Sequence, residues 1–144
     1  MSARKWQTVM IHHSAGSDTS RVDLQAIRRH HVSANGWADV GYHFVCELVG
    51  TSYEVIAGRP LTRDGAHCPG HNKTAIGFCL VGDFTSSPPP QAQWVTAARH
   101  VAGLCVALGI DTDHILAHRD HRATECPGKR FDLERFRELV WSFV

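Results

Sequence analysis

Histidine and cysteine are the residues of this chain best equipped for chemistry. The segment AHRDHRATECPG, Ala117 to Gly128, places His118, His121 and Cys126 in one polar, proline-terminated stretch, and the apolar run QTVMIH ends in the pair His12 and His13. Imidazole nitrogen and thiolate sulfur are preferred zinc ligands, and a catalytic zinc site takes three protein ligands and leaves one position for water. His12, His118 and Cys126 can supply such a set. Spacing alone does not choose them over His13 or His121, because a chain with 11 histidines contains many such triples.

The elements that must carry these residues follow from apolar periodicity. Gln7 to His12 reads as a buried strand, and Ile76 to Val81, IGFCLV, as a central strand buried on both faces. Tyr42 to Leu48 and Ser52 to Ala57 read as a hairpin about Val49-Gly50-Thr51. His114 to His118 is a short strand that again ends in histidine. Ser20 and Asp23 resemble a capping box for a first helix through Leu24, Ile27 and His31, ending at Asn35-Gly36. Trp94, Ala98, Val101, Cys105 and Leu108 mark a second helix stopped by Gly109, and Leu133, Phe136, Val140 and Phe143 a third with Asp132 as N-cap. The fold class is α/β, a mixed central β-sheet with about three flanking helices, in a single domain spanning 1–144. The irregular stretch Gly58 to Thr74 is long enough to suggest function.

Composition narrows the partners. With 15 Lys+Arg, 14 Asp+Glu and a formal charge of +1, the chain lacks the basic excess of a nucleic-acid binder or a polybasic membrane anchor. No apolar run reaches membrane-spanning length. Five cysteines, at 46, 68, 79, 105 and 126, form no disulfide pattern and no C-x-x-C. Cys46, Cys79 and Cys105 read as buried thiols, and Cys68 as the more exposed one. The opening MSARKWQTVMIHHS lacks a signal-peptide core, which predicts cytoplasmic synthesis.

Four stretches occur together in order: IHHSAG, GWADVGYHF, GAHCPGHNKTAIGFCLVGDF and AHRDHRATECPG. In that order and spacing they resemble the zinc-dependent N-acetylmuramoyl-L-alanine amidases, a family that includes short phage lysozymes of the amidase type and the peptidoglycan recognition proteins. The resemblance runs from about Val9 to Phe136. It implies an amidase-type fold, a Zn2+ ion on His12, His118 and Cys126, and His121 outside the set. By strand alternation, His13 then points to the opposite side of its strand from His12. The tyrosine of Gly-Tyr-His-Phe, Tyr42, resembles the family's catalytic tyrosine. Thr124 stands where the phage lysozyme branch carries lysine and resembles the catalytic recognition proteins. His31 and His67 fall where family members line the substrate groove, and Asn72 is placed to bind the stem peptide or to support the loop, the structural role suiting it better. His43 reads as a hairpin residue, and His30, His71, His100 and His114 as surface or supporting ones.

What the resemblance implies is hydrolysis of the amide joining N-acetylmuramic acid to L-alanine, with glycan strand and stem peptide as partners. The expected protein is a monomeric phage or prophage endolysin without nucleic acid or stable membrane association, reaching the wall through a separate membrane-permeabilising protein. Cytosolic recycling amidases of the family carry aspartate in place of the cysteine, and non-catalytic receptors lose it; Cys126 counts against both alternatives. A second, polymerase-regulating role known for short phage amidases has no mark in these residues.

Overall fold

The computed structural model describes residues 6–15 and 41–144. Runs rich in β-branched and apolar residues form five strands: β1 (Thr8–His13), β2 (Phe44–Val49), β3 (Ser52–Ala57), β4 (Ala75–Leu80) and β5 (Ile115–Ala117). Two helices, α1 (Gln91–Leu108) and α2 (Leu133–Phe143), follow β4 and β5. The helix expected around Leu24, Ile27 and His31 lies outside the described residues, as does His30.

The strands form one mixed sheet in the order β3-β2-β4-β1-β5. β1 pairs in parallel with β4 and β5, β2 in parallel with β4, and β2 and β3 close an antiparallel hairpin. All six residues of β4 are buried, as its unbroken apolar run requires at the middle of a two-sided sheet. β3, at the edge, alternates exposed and part-buried positions. Tyr42 falls just before β2 instead of within it. β5 is shorter than its apolar pattern, because short 3-10 turns occupy Thr112–His114 and His118–Asp120 on either side.

Strand alternation assigns the two faces different work. Val9, Ile11, Cys46, Ile76, Phe78 and Leu80 point toward the helices and join one core with Ala97, Ala98, Val101 and Ala102 of α1 and Phe136 and Val140 of α2. Burying each large side chain there contributes roughly 1.5–3 kcal/mol. Small residues along α1 let the helix lie close to the sheet, and Trp94 packs against both Phe131 and Phe136 at 5.1 Å. Gly109 ends α1 in the left-handed conformation (φ 66°), and its N–H donates to the Cys105 carbonyl. The Asp132 carboxylate accepts from the Arg135 N–H at 3.1 Å and caps α2.

The opposite face carries Met10, Val45, Cys79 and Val81 in small clusters, with Tyr42 packed beside them. Cys68 belongs to this face, fully buried with Met10, Ala75 and Leu116, which corrects the more exposed position its polar surroundings suggest. His43 is also more than a hairpin residue. It is fully buried, its Nδ1 accepts from the Gly77 N–H at 3.0 Å, and its Nε2 donates to the Arg63 carbonyl at 3.1 Å.

The segment that carries Cys126 crosses the end of the sheet in backbone-to-backbone contact. Arg130 N–H donates to the Phe84 carbonyl at 2.8 Å, and a Cβ on Gly128 (φ 105°) would meet the Phe84 carbonyl carbon and oxygen at 2.5 Å. Gly128→Ala therefore combines a conformation unfavourable to L residues with a clash that no side-chain rotation relieves. It should destabilise by about 2 kcal/mol or more, read as a lower urea midpoint; a wild-type midpoint would show that the crossing can yield.

Candidate metal centre

Parallel pairing places the carboxyl ends of β1, β4 and β5 at one edge of the sheet, where open α/β sheets place their ligands. His12 sits near the end of β1, opposite Cys79 of β4, and is 1% exposed. His118 begins the turn that follows β5. The Asp120 carboxylate closes that turn by accepting from the Ala117 N–H at 3.2 Å.

Arg119 binds this turn to the Cys126 segment. Its backbone N–H donates to the Cys126 carbonyl at 2.8 Å, and its guanidinium donates to the carbonyls of Gly128 at 2.7 Å and Phe131 at 3.0 Å. The Cys126–Pro127 peptide is cis. The Cys126 sulfur accepts from the His13 N–H at 3.3 Å and lies 3.8 Å from His12 Nδ1. Sequence reasoning misses Arg119, since an arginine in a polar loop carries no signal that its partners are carbonyls up to twelve residues on.

The result is a cluster of His12, His118 and Cys126 whose ligand atoms all lie within 4.8 Å of one another. Two imidazoles and a thiolate suit zinc, and its bond lengths with a tetrahedral angle put such atoms about 3.5 Å apart. The residues fit the ion. His13, as strand alternation requires, faces the other way: its Nδ1 accepts from the Phe84 N–H at 3.2 Å. His121 packs against His71 with the rings tilted and their centres 4.5 Å apart, outside the cluster.

Burial sets the protonation of this site. It holds the His12 pKa well below 6.5, helped by His67, His118 and His13, and burial also lowers His118, with Arg122 and His121 adding to the effect. Both imidazoles therefore stay neutral and offer lone pairs. Burial pushes the Cys126 thiol up to about 11, partly offset by the His13 N–H and Arg119, so a bound cation must displace the thiol proton. Tyr42 lies with its ring centre 5.0 Å from that of His12. Burial, then the nearby Cys79 and Cys126, raises its pKa well above 10.0, which keeps the phenol a hydrogen-bond donor.

The remaining candidates divide. Thr124 is exposed, and its hydroxyl oxygen accepts from the Cys126 N–H at 3.2 Å. Asn72 lies in the 58–74 loop, where its side-chain oxygen accepts from the N–H groups of His67 and Cys68, each at 2.9 Å. His67 is 8% exposed and hydrogen-bonded at both ring nitrogens, to His12 and to the Ala75 carbonyl. His31 lies outside the described residues.

The family model of N-acetylmuramoyl-L-alanine amidase matches residues 2–129. The chain belongs to the N-acetylmuramoyl-L-alanine amidase family. It is 36% identical over 140 residues to an endolysin of Klebsiella phage KP32, covering 93% of this chain and 89% of the relative. It is 36% identical over 126 residues to the peptidoglycan-recognition protein SC2 of Drosophila melanogaster, covering 83% of this chain and 66% of that one. Among solved structures, the amidase LysC from Clostridium intestinale superposes with a TM-score of 0.82 at 28% identity, covering 93% and 84% of the two chains. A Drosophila recognition protein LB, solved in complex with tracheal cytotoxin, superposes with a TM-score of 0.79 at 29% identity, covering 92% and 80%. The fold and the activity of an N-acetylmuramoyl-L-alanine amidase, with peptidoglycan as substrate, thus describe this chain.

Burial also lowers the pKa of His13, His67 (to about 4), His71 and His100. Below about pH 6.5 the unfolded chain therefore binds more protons than the folded one. Stability of the metal-free protein should be fully present above pH 6.5 and fall as the pH drops toward 4. The urea midpoint of protein kept in chelator should be clearly lower at pH 5.5 than at pH 7.5; equal midpoints would contradict neutral burial of these rings.

Proposed function

We propose that this amidase works as an endolysin through a zinc ion held by His12, His118 and Cys126, with Tyr42 and Thr124 acting on the reacting carbonyl. The observation that carries the reading is the convergence of three ligand atoms to within 4.8 Å from opposite ends of the chain. When bound, zinc supplies Lewis acidity toward the amide carbonyl and a water of lowered pKa.

The chain's own groups do the rest. Tyr42, kept protonated by burial, donates a hydrogen bond to the oxyanion that develops as the lactyl carbonyl becomes tetrahedral. The Thr124 hydroxyl accepts from the Cys126 N–H and so keeps its own proton free to donate on the same side. It brings no positive charge, so Tyr42 carries more of the stabilisation than it would beside a lysine. His12 is buried and Tyr42 half-buried, whereas Thr124 and Glu125 face solvent, Glu125 paired with Lys129 at 3.4 Å.

His67 and Asn72 shape the groove wall from within, because their polar atoms engage the protein, and His31 is proposed to line the groove by resemblance alone. The protein is proposed to act as a monomer and a single catalytic domain on glycan strand and stem peptide. It is proposed to reach the wall through a separate membrane-permeabilising protein; no helix of the described residues is long and apolar enough to cross a membrane.

The test is digestion of intact sacculi by wild type, Tyr42→Phe and Cys126→Ser, with the new ends identified by mass spectrometry and zinc measured in each protein. Wild type should release L-alanine amino termini. Tyr42→Phe should stay folded and zinc-loaded while turnover drops on the order of a hundred-fold or more. Cys126→Ser should lose most of its zinc, a hydroxyl being a far poorer ligand than a thiolate. Wild-type lysis by either variant would remove that residue from the mechanism, and cleavage of soluble anhydro-muropeptides but not sacculi would favour a recycling enzyme.

A further inference from the structure

His67 stands out because its ring is more tightly constrained than a groove-lining residue needs. Its Nε2 lies 2.9 Å from the Ala75 carbonyl, and its Nδ1 lies 2.9 Å from Nε2 of His12. A carbonyl oxygen only accepts, so His67 carries its proton on Nε2 and presents a lone pair at Nδ1. His12 must then donate from Nε2, which leaves its own lone pair on Nδ1, the nitrogen 3.8 Å from the Cys126 sulfur. The two hydrogen bonds run in one direction, from the metal site to the backbone of β4.

The surroundings hold that ring from several sides. A Cβ on Gly65 would lie 2.4 Å from His67 Cδ2, and one on Gly77 would lie 2.7 Å from the same atom, so the imidazole fills a slot that only glycine leaves open. Asn72 pins the backbone on which the ring stands, accepting from the His67 and Cys68 N–H groups. The His67 and His12 rings meet nearly perpendicular, at 87° with centres 4.9 Å apart, which suits an in-plane hydrogen bond from one to the other.

We propose that His67 is a positioning residue of the metal centre: it accepts the His12 Nε2 proton, and so orients His12 and fixes Nδ1 as the nitrogen that faces the ion. This rests on the reading of His12, His118 and Cys126 as the ligand set. A partner of this kind orients a ligand imidazole and raises its basicity, and losing it typically costs about 10–100-fold in metal affinity.

Two substitutions separate positioning from packing. In His67→Asn the side-chain oxygen falls near the former Nδ1 and can still accept from His12. In His67→Gln the amide reaches the former Nε2 and can still donate to Ala75, but the acceptor facing His12 is withdrawn. Zinc affinity, measured by competition with a chromophoric chelator, should fall about 10–100-fold in His67→Gln and only a few-fold in His67→Asn. In zinc-loaded, 15N-labelled wild type, a scalar coupling between His12 Nε2 and His67 Nδ1 should report the hydrogen bond directly. Its absence would overturn the proposal whatever the variants do, as would equal losses in both variants or wild-type affinity in His67→Gln. A His12→Ala control keeps the two readings apart. Unchanged affinity in that control overturns the ligand set itself, whereas lost affinity there beside an unchanged His67→Gln overturns only the role of His67.

Discussion

Parallel pairing of β1 with β4 on one side and β5 on the other constrains everything else in this structure. Because the three strands run the same way, their carboxyl ends reach one edge of the sheet together, and His12 and His118 arrive side by side although the chain between them contains a hairpin, a long loop and a helix. The ladder to β4 runs through His12, and the ladder to β5 reaches its neighbour Ile11, so the His12 imidazole has little freedom beyond its own torsions. Cys126 has no strand to hold it. Arg119 takes that part by binding the turn after β5 to the turn that carries the cysteine, through one backbone and two guanidinium hydrogen bonds.

The two faces of the sheet are built on different principles. Toward the helices the contacts are apolar and numerous, and their specificity is that of shape. Toward the site the packing is thin and polar groups are satisfied individually: His43 bridges Gly77 and Arg63, Asn72 holds two N–H groups, and His67 links His12 to Ala75. An unsatisfied buried polar group costs more than a typical hydrogen bond contributes, so such a chain is stable only when complete. Helix α1 reaches across only in part: the buried Gln93 side-chain NH2 donates to the carbonyls of Cys46 in β2 and Val81 just after β4, while its oxygen has no partner among the described residues.

Burial of this second face also prepares the chemistry. Imidazoles that stay neutral, a thiol that waits for a cation and a phenol that keeps its proton all follow from desolvation, with neighbouring groups as smaller corrections. The cost is sensitivity to acid, because each neutral buried ring favours the unfolded chain once the pH falls below its ordinary range.

The amino-acid sequence by itself determines the strands with continuous apolar runs, the helix ends at Gly109 and Asp132, and, through four ordered motifs, the family and the candidate ligand positions. These are properties of local pattern: an apolar period needs one face to bury, a glycine needs a left-handed backbone, and ligand chemistry restricts which residue types occur. Tertiary structure alone decides what each polar group meets. His67 reads as a groove residue because a histidine in a glycine-rich loop looks available, yet its partners come from β1 and β4. Cys68 looks exposed until the loop folds it under Met10. Arg119 and Gly128 carry no periodicity, and their importance arises only where separate backbone segments meet. Contacts of this kind join residues far apart in the chain, and only three-dimensional packing brings them within hydrogen-bonding reach.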